Sequence, residues 1–144
     1  MKLRVAWVGR TKEAAIQSLT AEYLKRLGRY LPTESVEASS EAALLKPLAK
    51  AGKPVLVLLD SRGKEFTSEG LAEFLDAQQS RGTQTLMFAV GPADGFSKGA
   101  LDLADVKLSL GRMTLAHELA RVVLLEQLYR GFTILANHPY HHGH

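Results

Sequence analysis

The chain contains no cysteine, so disulfides and thiolate chemistry are excluded. That fits a reducing cytosol, and a cytoplasmic location is expected. No apolar run approaches the roughly 20 residues needed to span a bilayer, so no membrane partner is expected. The opening "MKLRVAWVGRTKEAA" has basic residues on both sides of a short apolar run and reads as a strand rather than a secretion signal. The G-x-G-x-x-G fingerprint, the Walker loop and the G-x-S-x-G elbow are all missing, which removes the usual signatures of dinucleotide, nucleoside-triphosphate and serine-hydrolase chemistry. Acids are missing from two stretches. The first 12 residues carry Lys2, Arg4, Arg10 and Lys12 without one, and 18 residues without an acid follow Glu126.

What is present describes one ordinary soluble domain. The 144 residues can bury roughly 70% of the surface exposed by the unfolded chain. The content of 46% apolar and 23% charged residues is that of a globular protein. The net charge of +3 is mild, but Lys25, Arg26 and Arg29 fall on one side at helical spacing. Such a zone is either a solvated helix face or a surface for a polyanion.

Apolar runs alternate with helical patterns. Strands are expected at "LRVAWVG" (3–9), weakly at "SVEAS" (35–39), and at "PVLVLLD" (54–60), "TLMFAVG" (85–91) and "VKLSLG" (106–111). Helices are expected over 11–30, over 40–52 with a break or kink at Pro47, over 68–82 with Ser68 as cap, over 97–104, and over 114–132 with Thr114 as cap. Strands alternating with helices imply a parallel sheet covered on both faces. The expected fold is α/β, with about five mainly parallel strands in a single domain spanning 1–144. Ligands of such sheets bind outside the carboxyl ends of the strands, which points to the loops after Gly9, Asp60, Gly91 and Gly111. "GPADGFSKGA" sits at one of these ends. It reads equally as a phosphate cradle and as a turn that ends in a Ser97 helix cap.

The longest helix has two features. His117 and Arg121 are four apart and are expected on one face, with Tyr129 and Arg130 further along. Its apolar residues, Leu115, Leu119, Val122, Val123, Leu124, Leu125 and Leu128, cover most of its circumference. A sheet can bury one face of such a helix, and a second copy of the chain is expected to bury the other.

"VGPADGF", then "LSLGRMTLAHELARVVLLEQLYRGF", then the terminal "NHPYHHGH" together resemble the ribosomal RNA large subunit methyltransferase H family, of the SPOUT class. "MKLRVAWVG", "EYLKRL" and "LVLLDSRGKEFTSEGLA" extend the likeness over nearly the whole chain, with 32–53 the weakest stretch. The resemblance implies methyl transfer from S-adenosylmethionine to N3 of a pseudouridine in large-subunit ribosomal RNA, with assembled ribosomes as the expected substrate. It also implies a C-terminal trefoil knot and a homodimer. Carried over, the cofactor site comprises Leu59, Gly91, Gly111, Arg112, Met113, Thr114, Leu115 and Ala116. The family commonly has proline at Ala116 and often glycine at Asn137, and the closing "HGH" has no family role.

The reaction implied is a displacement at an activated methyl carbon, which leaves the protein to position the reactants and remove an imide proton. His117, His138 and His141 are the candidate proton acceptors. The tail is expected to reach the partner's cofactor site, with Tyr140 and His141 against the target base, and Arg121 and Arg130 are expected to hold phosphate or base carbonyls. Two rivals stand beside this reading. One is a non-catalytic RNA- or ribosome-binding module of the same fold. The other is a metal-dependent hydrolase using the terminal histidines, which lack a neighbouring acid to complete a usual set; no metal is expected.

Overall fold

The computed structural model describes residues 1–141, of which His141 is described in its backbone only. Its elements are β1 (Lys2–Val8), α1 (Ala14–Leu27), β2 (Thr33–Ala38), α2 (Glu41–Leu45), a 3-10 turn (Lys46–Ala49), β3 (Val55–Glu65), α3 (Ser68–Ser80), β4 (Thr85–Val90), α4 (Lys98–Leu103), β5 (Val106–Ser109), α5 (His117–Leu135) and a last 3-10 turn (Pro139–His141). The strands form one sheet in the order β2-β1-β4-β3-β5. Every neighbouring pair is parallel.

Alternate residues of each strand feed opposite faces. Leu3, Val5, Trp7, Leu86, Phe88 and Val90 pack on the side that carries α1, α3 and α5. Ala6, Leu56, Leu58, Met87 and Ala89 pack under α2, its 3-10 extension and α4. The central strands are apolar on both faces because both are covered.

Several boundaries differ from those expected, each for a local reason. Pro47 does break its helix, by opening the 3-10 turn. Thr67, not Ser68, caps α3, its hydroxyl accepting from Gly70 N–H at 2.9 Å. α5 begins at His117 and has no side-chain cap, so Thr114 remains in the preceding loop. Asn137, just past α5, has φ +56°. That left-handed conformation is what a helix C′ position requires and asparagine tolerates it, which accounts for the family's frequent glycine there.

α5 lies between α1 and α3 on the sheet. Gly131 brings it close to α3, where an added Cβ would stand 2.8 Å from Leu75, and Tyr30 stacks on Phe132 at 6.0 Å on the α1 side. Three neighbours therefore cover most of its apolar circumference within one chain. Leu119 (44% exposed) and Leu135 (39%) remain open. The apolar girth of α5 by itself thus does not call for a second copy.

β3 is longer than the run 54–60 expected for it. Its pairing with β5 slips: Leu59 lies opposite Leu108, and Lys64 then takes the same partner. The four residues between, 60–63, bulge out of the ladder. Gly63 makes the return possible, because a Cβ there would stand 2.6 Å from Lys107 O and 2.9 Å from Leu108 N. Gly63→Ala is expected to push β5 away and cost about 1–3 kcal/mol, measured as a lower urea midpoint with an unchanged denaturant slope.

Candidate functional site

One large cavity, of about 450 Å³, opens at the carboxyl ends of the central strands. Three loops build it. The β3 bulge contributes Leu59, Asp60, Ser61 and Arg62. The β4–α4 loop contributes residues 91–96. The β5–α5 loop contributes Leu110, Gly111, Met113, Thr114 and Leu115, and His117 and Ala120 close it from the first turn of α5. These are three of the four loops selected by the strand-end rule.

Glycine serves two of the loops in different ways. A Cβ at Gly91 would stand 3.1 Å from the Phe96 ring, so Gly91 is needed for space. Gly111 has open space around it but φ +140°, so it is needed for its backbone conformation. Ser109 holds that turn, its hydroxyl donating to Gly111 O at 3.0 Å and accepting from Gly111 N–H at 3.2 Å. In "GPADGFSKGA" the residues up to Phe96 face the cavity. Ser97 turns to other work: it caps α4 and binds the Glu41 carboxylate at 2.7 Å.

Of the residues carried over for the cofactor, Leu59, Gly91, Gly111, Met113, Thr114 and Leu115 line the cavity, whereas Arg112 and Ala116 are not among its walls. Asp60, Ser61, Arg62, Asp94 and Phe96 line it as well and were not singled out. The available signal was the strand-end rule itself, which named their loops but could not say which side chains turn inward.

The fourth strand-end loop, after Gly9, is braced by the protein's own side chains beside a smaller cavity of about 270 Å³, whose walls include Trp7, Arg10, Thr11 and Glu37. Arg121 is fully buried. It donates to Thr11 Oγ1 at 2.7 Å and to the carbonyls of Val8 and Gly9 at 3.0 and 3.3 Å, and its guanidinium lies 5.4 Å from the Trp7 ring centroid. Burial lowers its pKa. Glu118 reaches across to the N–H groups of Lys12 and Glu13 at 2.9 and 3.1 Å. The Glu13 N–H, then that of Lys12, holds its carboxyl below the usual range against the opposing effect of desolvation. Glu37 accepts from Trp7 Nε1 and Thr11 N–H. His117 and Arg121 therefore part company: one faces the cavity, the other braces the β1–α1 loop. A guanidinium enclosed in this way has no open side for a phosphate, and the arginine at the cavity is Arg62.

The tail is held at the other end of α5. Tyr140 OH donates to Glu126 Oε2 at 2.9 Å and lies 3.3 Å from Tyr23 OH. Its ring packs edge-on against Tyr129, with centroids 4.7 Å apart. Burial, then the bonds to Tyr23 and Glu126, raises its pKa. Arg130 pairs with Glu126 at 2.7 Å and lies over the Tyr140 ring. His138 is exposed, and its Nδ1 accepts from Tyr140 N–H at 3.2 Å. At 1.5 Å of rise per residue, Glu126 and Arg130 lie roughly 14 and 20 Å along α5 from His117. His117 is thus not brought together with His138, Tyr140 or Arg130 within one chain. The side chain of His141, and all of His142, Gly143 and His144, lie outside the described residues. Among the described residues no cluster of potential metal ligands is present, and no helix is long and apolar enough to cross a membrane.

Comparison with known proteins covers the whole of this architecture. The family model "Predicted SPOUT methyltransferase" matches residues 1–141. The chain is 62% identical over 146 aligned positions to the ribosomal RNA large subunit methyltransferase H of Koribacter versatilis, covering all of both chains. It is 44% identical to that of Citrifermentans bemidjiense, covering 99% of each. Among solved structures, a probable methylase family protein from Haemophilus influenzae superposes with a TM-score of 0.61 over 96% of this chain and 69% of that one. At 13% identity that likeness bears on the fold alone. With matches of this strength over essentially the full length, the chain belongs to the ribosomal RNA large subunit methyltransferase H family of the SPOUT methyltransferases.

Proposed function

We propose that the protein transfers a methyl group from S-adenosylmethionine to N3 of a pseudouridine in large-subunit ribosomal RNA, acting on assembled ribosomes in the cytoplasm. The observation that carries this reading is the three-loop cavity at the strand carboxyl ends, in a chain 62% identical to a protein of that name. The family's trefoil knot belongs to the same proposal. β5 is the edge strand, yet the chain after it returns to the middle of the α1–α3 face as α5.

The residues present suit the cofactor. A cavity of about 450 Å³ is within the range that encloses a molecule of that size. Leu59, Val90, Leu108 and Phe96 offer apolar walls for a base, while Asp60, Asp94 and Thr114 offer polar contacts. The cofactor supplies a methyl group already activated by its sulfonium. What the protein must add is alignment of the acceptor and removal of the imide proton. His117, at the cavity wall, is placed for the proton step, and Arg62 for an RNA phosphate. Tyr140, fixed by Tyr23, Tyr129 and Glu126, holds the start of the tail, where His138 is exposed and open to a second copy.

The homodimer is part of this reading. α1 and α5 lie side by side on one face, and each exposes a leucine, Leu19 at 43% and Leu119 at 44%. Burying the pair against a second copy removes apolar surface from water.

A transfer assay with radiolabelled cofactor on ribosomes, large subunits and free RNA tests the activity. Methyl incorporation into ribosomal RNA is expected. Its absence together with undiminished ribosome binding is the result expected of a non-catalytic module. Gly91→Val forces Phe96 toward the cavity and is expected to weaken cofactor binding by about tenfold or more, which equals about 1.4 kcal/mol, while the protein stays folded. Titration calorimetry reads this, and unchanged affinity removes Gly91 from the site. Leu119→Glu is expected to convert a dimer to a monomer in light scattering at micromolar concentration. Ending the chain after Asn137 is expected to abolish transfer and leave cofactor affinity within about twofold, a difference under 0.5 kcal/mol, whereas ending it after His142 should change little.

A further inference from the structure

The basic residues seen in the sequence fare differently once the chain is folded. Lys2 and Arg4 converge on Glu34, at 3.0 and 2.6 Å, so these two cations of the first basic zone are paired with a carboxylate. Lys25, Arg26 and Arg29 instead share one carboxylate. Arg26 Nε bonds Glu22 Oε2 at 2.7 Å. The fields of Lys25 and Arg29 also reach Glu22, whose pKa is held low by the Arg26 bond first. Lys25 and Arg29 are exposed, and neither forms an ion pair among the described residues.

Arg26 is oriented in advance. Its guanidinium lies 5.3 Å from the Tyr23 ring centroid and 5.5 Å from that of Tyr129. The bond to Glu22 engages Nε, which leaves the planar fork of terminal nitrogens for a bidentate oxyanion. Arg130 stands on the adjacent helix, likewise paired to one glutamate and laid over a tyrosine. This surface lies at the end of the sheet opposite the cavity: the chain leaving α1 runs directly into the start of β2, beside the start of β1, where Leu3 N–H bonds Pro32 O.

We infer that Lys25, Arg26 and Arg29 form a docking surface for the phosphodiester backbone of ribosomal RNA, away from the nucleotide bound at the same chain's cavity. The inference rests on the proposed RNA substrate. Its chemistry is that of contacts which set position and register rather than read sequence. Three cations with one local acid suit a polyanion. A tyrosine-backed guanidinium loses little freedom when a phosphate binds it.

The test compares the double variant Lys25→Gln/Arg29→Gln with the control Lys50→Gln/Lys53→Gln, which removes the same charge from exposed positions around the 3-10 turn on the other sheet face. Steady-state transfer to ribosomes is measured over a range of salt. Binding to a large-subunit RNA fragment is measured separately by fluorescence anisotropy. In the first variant KM is expected to rise about tenfold, and the slope of log affinity against log salt to become shallower by about 1.5 in both assays. Its kcat, its cofactor affinity and its thermal midpoint should be unchanged. Unchanged KM and slope, an equal effect in the control, or a KM change on ribosomes with no change in RNA binding overturns the inference, the last by pointing to a ribosomal protein instead. A wild-type protein that transfers no methyl group defeats the proposed activity, while the anisotropy slopes still decide this surface.

Discussion

The close approach of Gly63 to the β5 backbone is the constraint on which the site depends. With no Cβ at that point, β3 can leave its partner at Leu59, bulge over four residues, and rejoin at Lys64. An ordinary ladder would have kept residues 60–63 in register, with alternate side chains turned into the sheet layers. The bulge lifts them out, so Asp60, Ser61 and Arg62 can wall a cavity whose floor is still made by regular strands. The other two walls need no such device, since a loop that follows a strand is already outside the sheet. Burial and recognition are thereby divided along one strand: residues 55–58 build the core and residues 59–62 wall the site.

α5 divides its labour in a similar way. Its first turn sends His117 and Ala120 to the cavity, and Glu118 and Arg121 to the β1–α1 loop. The loop that lines the cavity and the loop that begins α1 are therefore tied to the same helical turn. Enclosing a guanidinium this fully costs solvation, which is why burial lowers its pKa, and three neutral acceptors offset part of that cost. What the arrangement secures is position. The helix that carries His117 cannot slide along the sheet without breaking those bonds.

Much of this was legible in the sequence because it follows from pattern. Continuous apolar runs mark the two central strands, and alternation with helices gives a parallel sheet, whose carboxyl ends are where ligands sit. What could not be read depends on which way a side chain turns. His117 and Arg121 are one helical turn apart, yet a long guanidinium reaches a neighbour that an imidazole does not. The bulge was hidden because "DSRG" after an apolar run looks like the end of a strand, and nothing local says that the strand resumes. The girth of α5 suggested a partner chain, but α1 and α3 supply most of the cover, and that depends on helix order over the sheet rather than on any one helix. Thr114 resembled a cap only if the helix began early, whereas the cavity draws residues 111–116 into an open loop.

The two ends of α5 bear on how many chains one site needs. Tyr140 is fixed by Glu126, Tyr23 and Tyr129, and His138 and His141 flank it in sequence. A residue within two positions of an anchored one can move at most about 7 Å from it along the chain, which falls short of the roughly 14 to 20 Å that separates the anchor from His117 along the helix. A tail held in this way cannot serve the cavity of its own chain unless the Tyr140 contacts break. In the proposed dimer a second copy would bring its tail to the first copy's cavity without breaking those contacts. The same polarity puts the α1 cations at the tail end of the molecule.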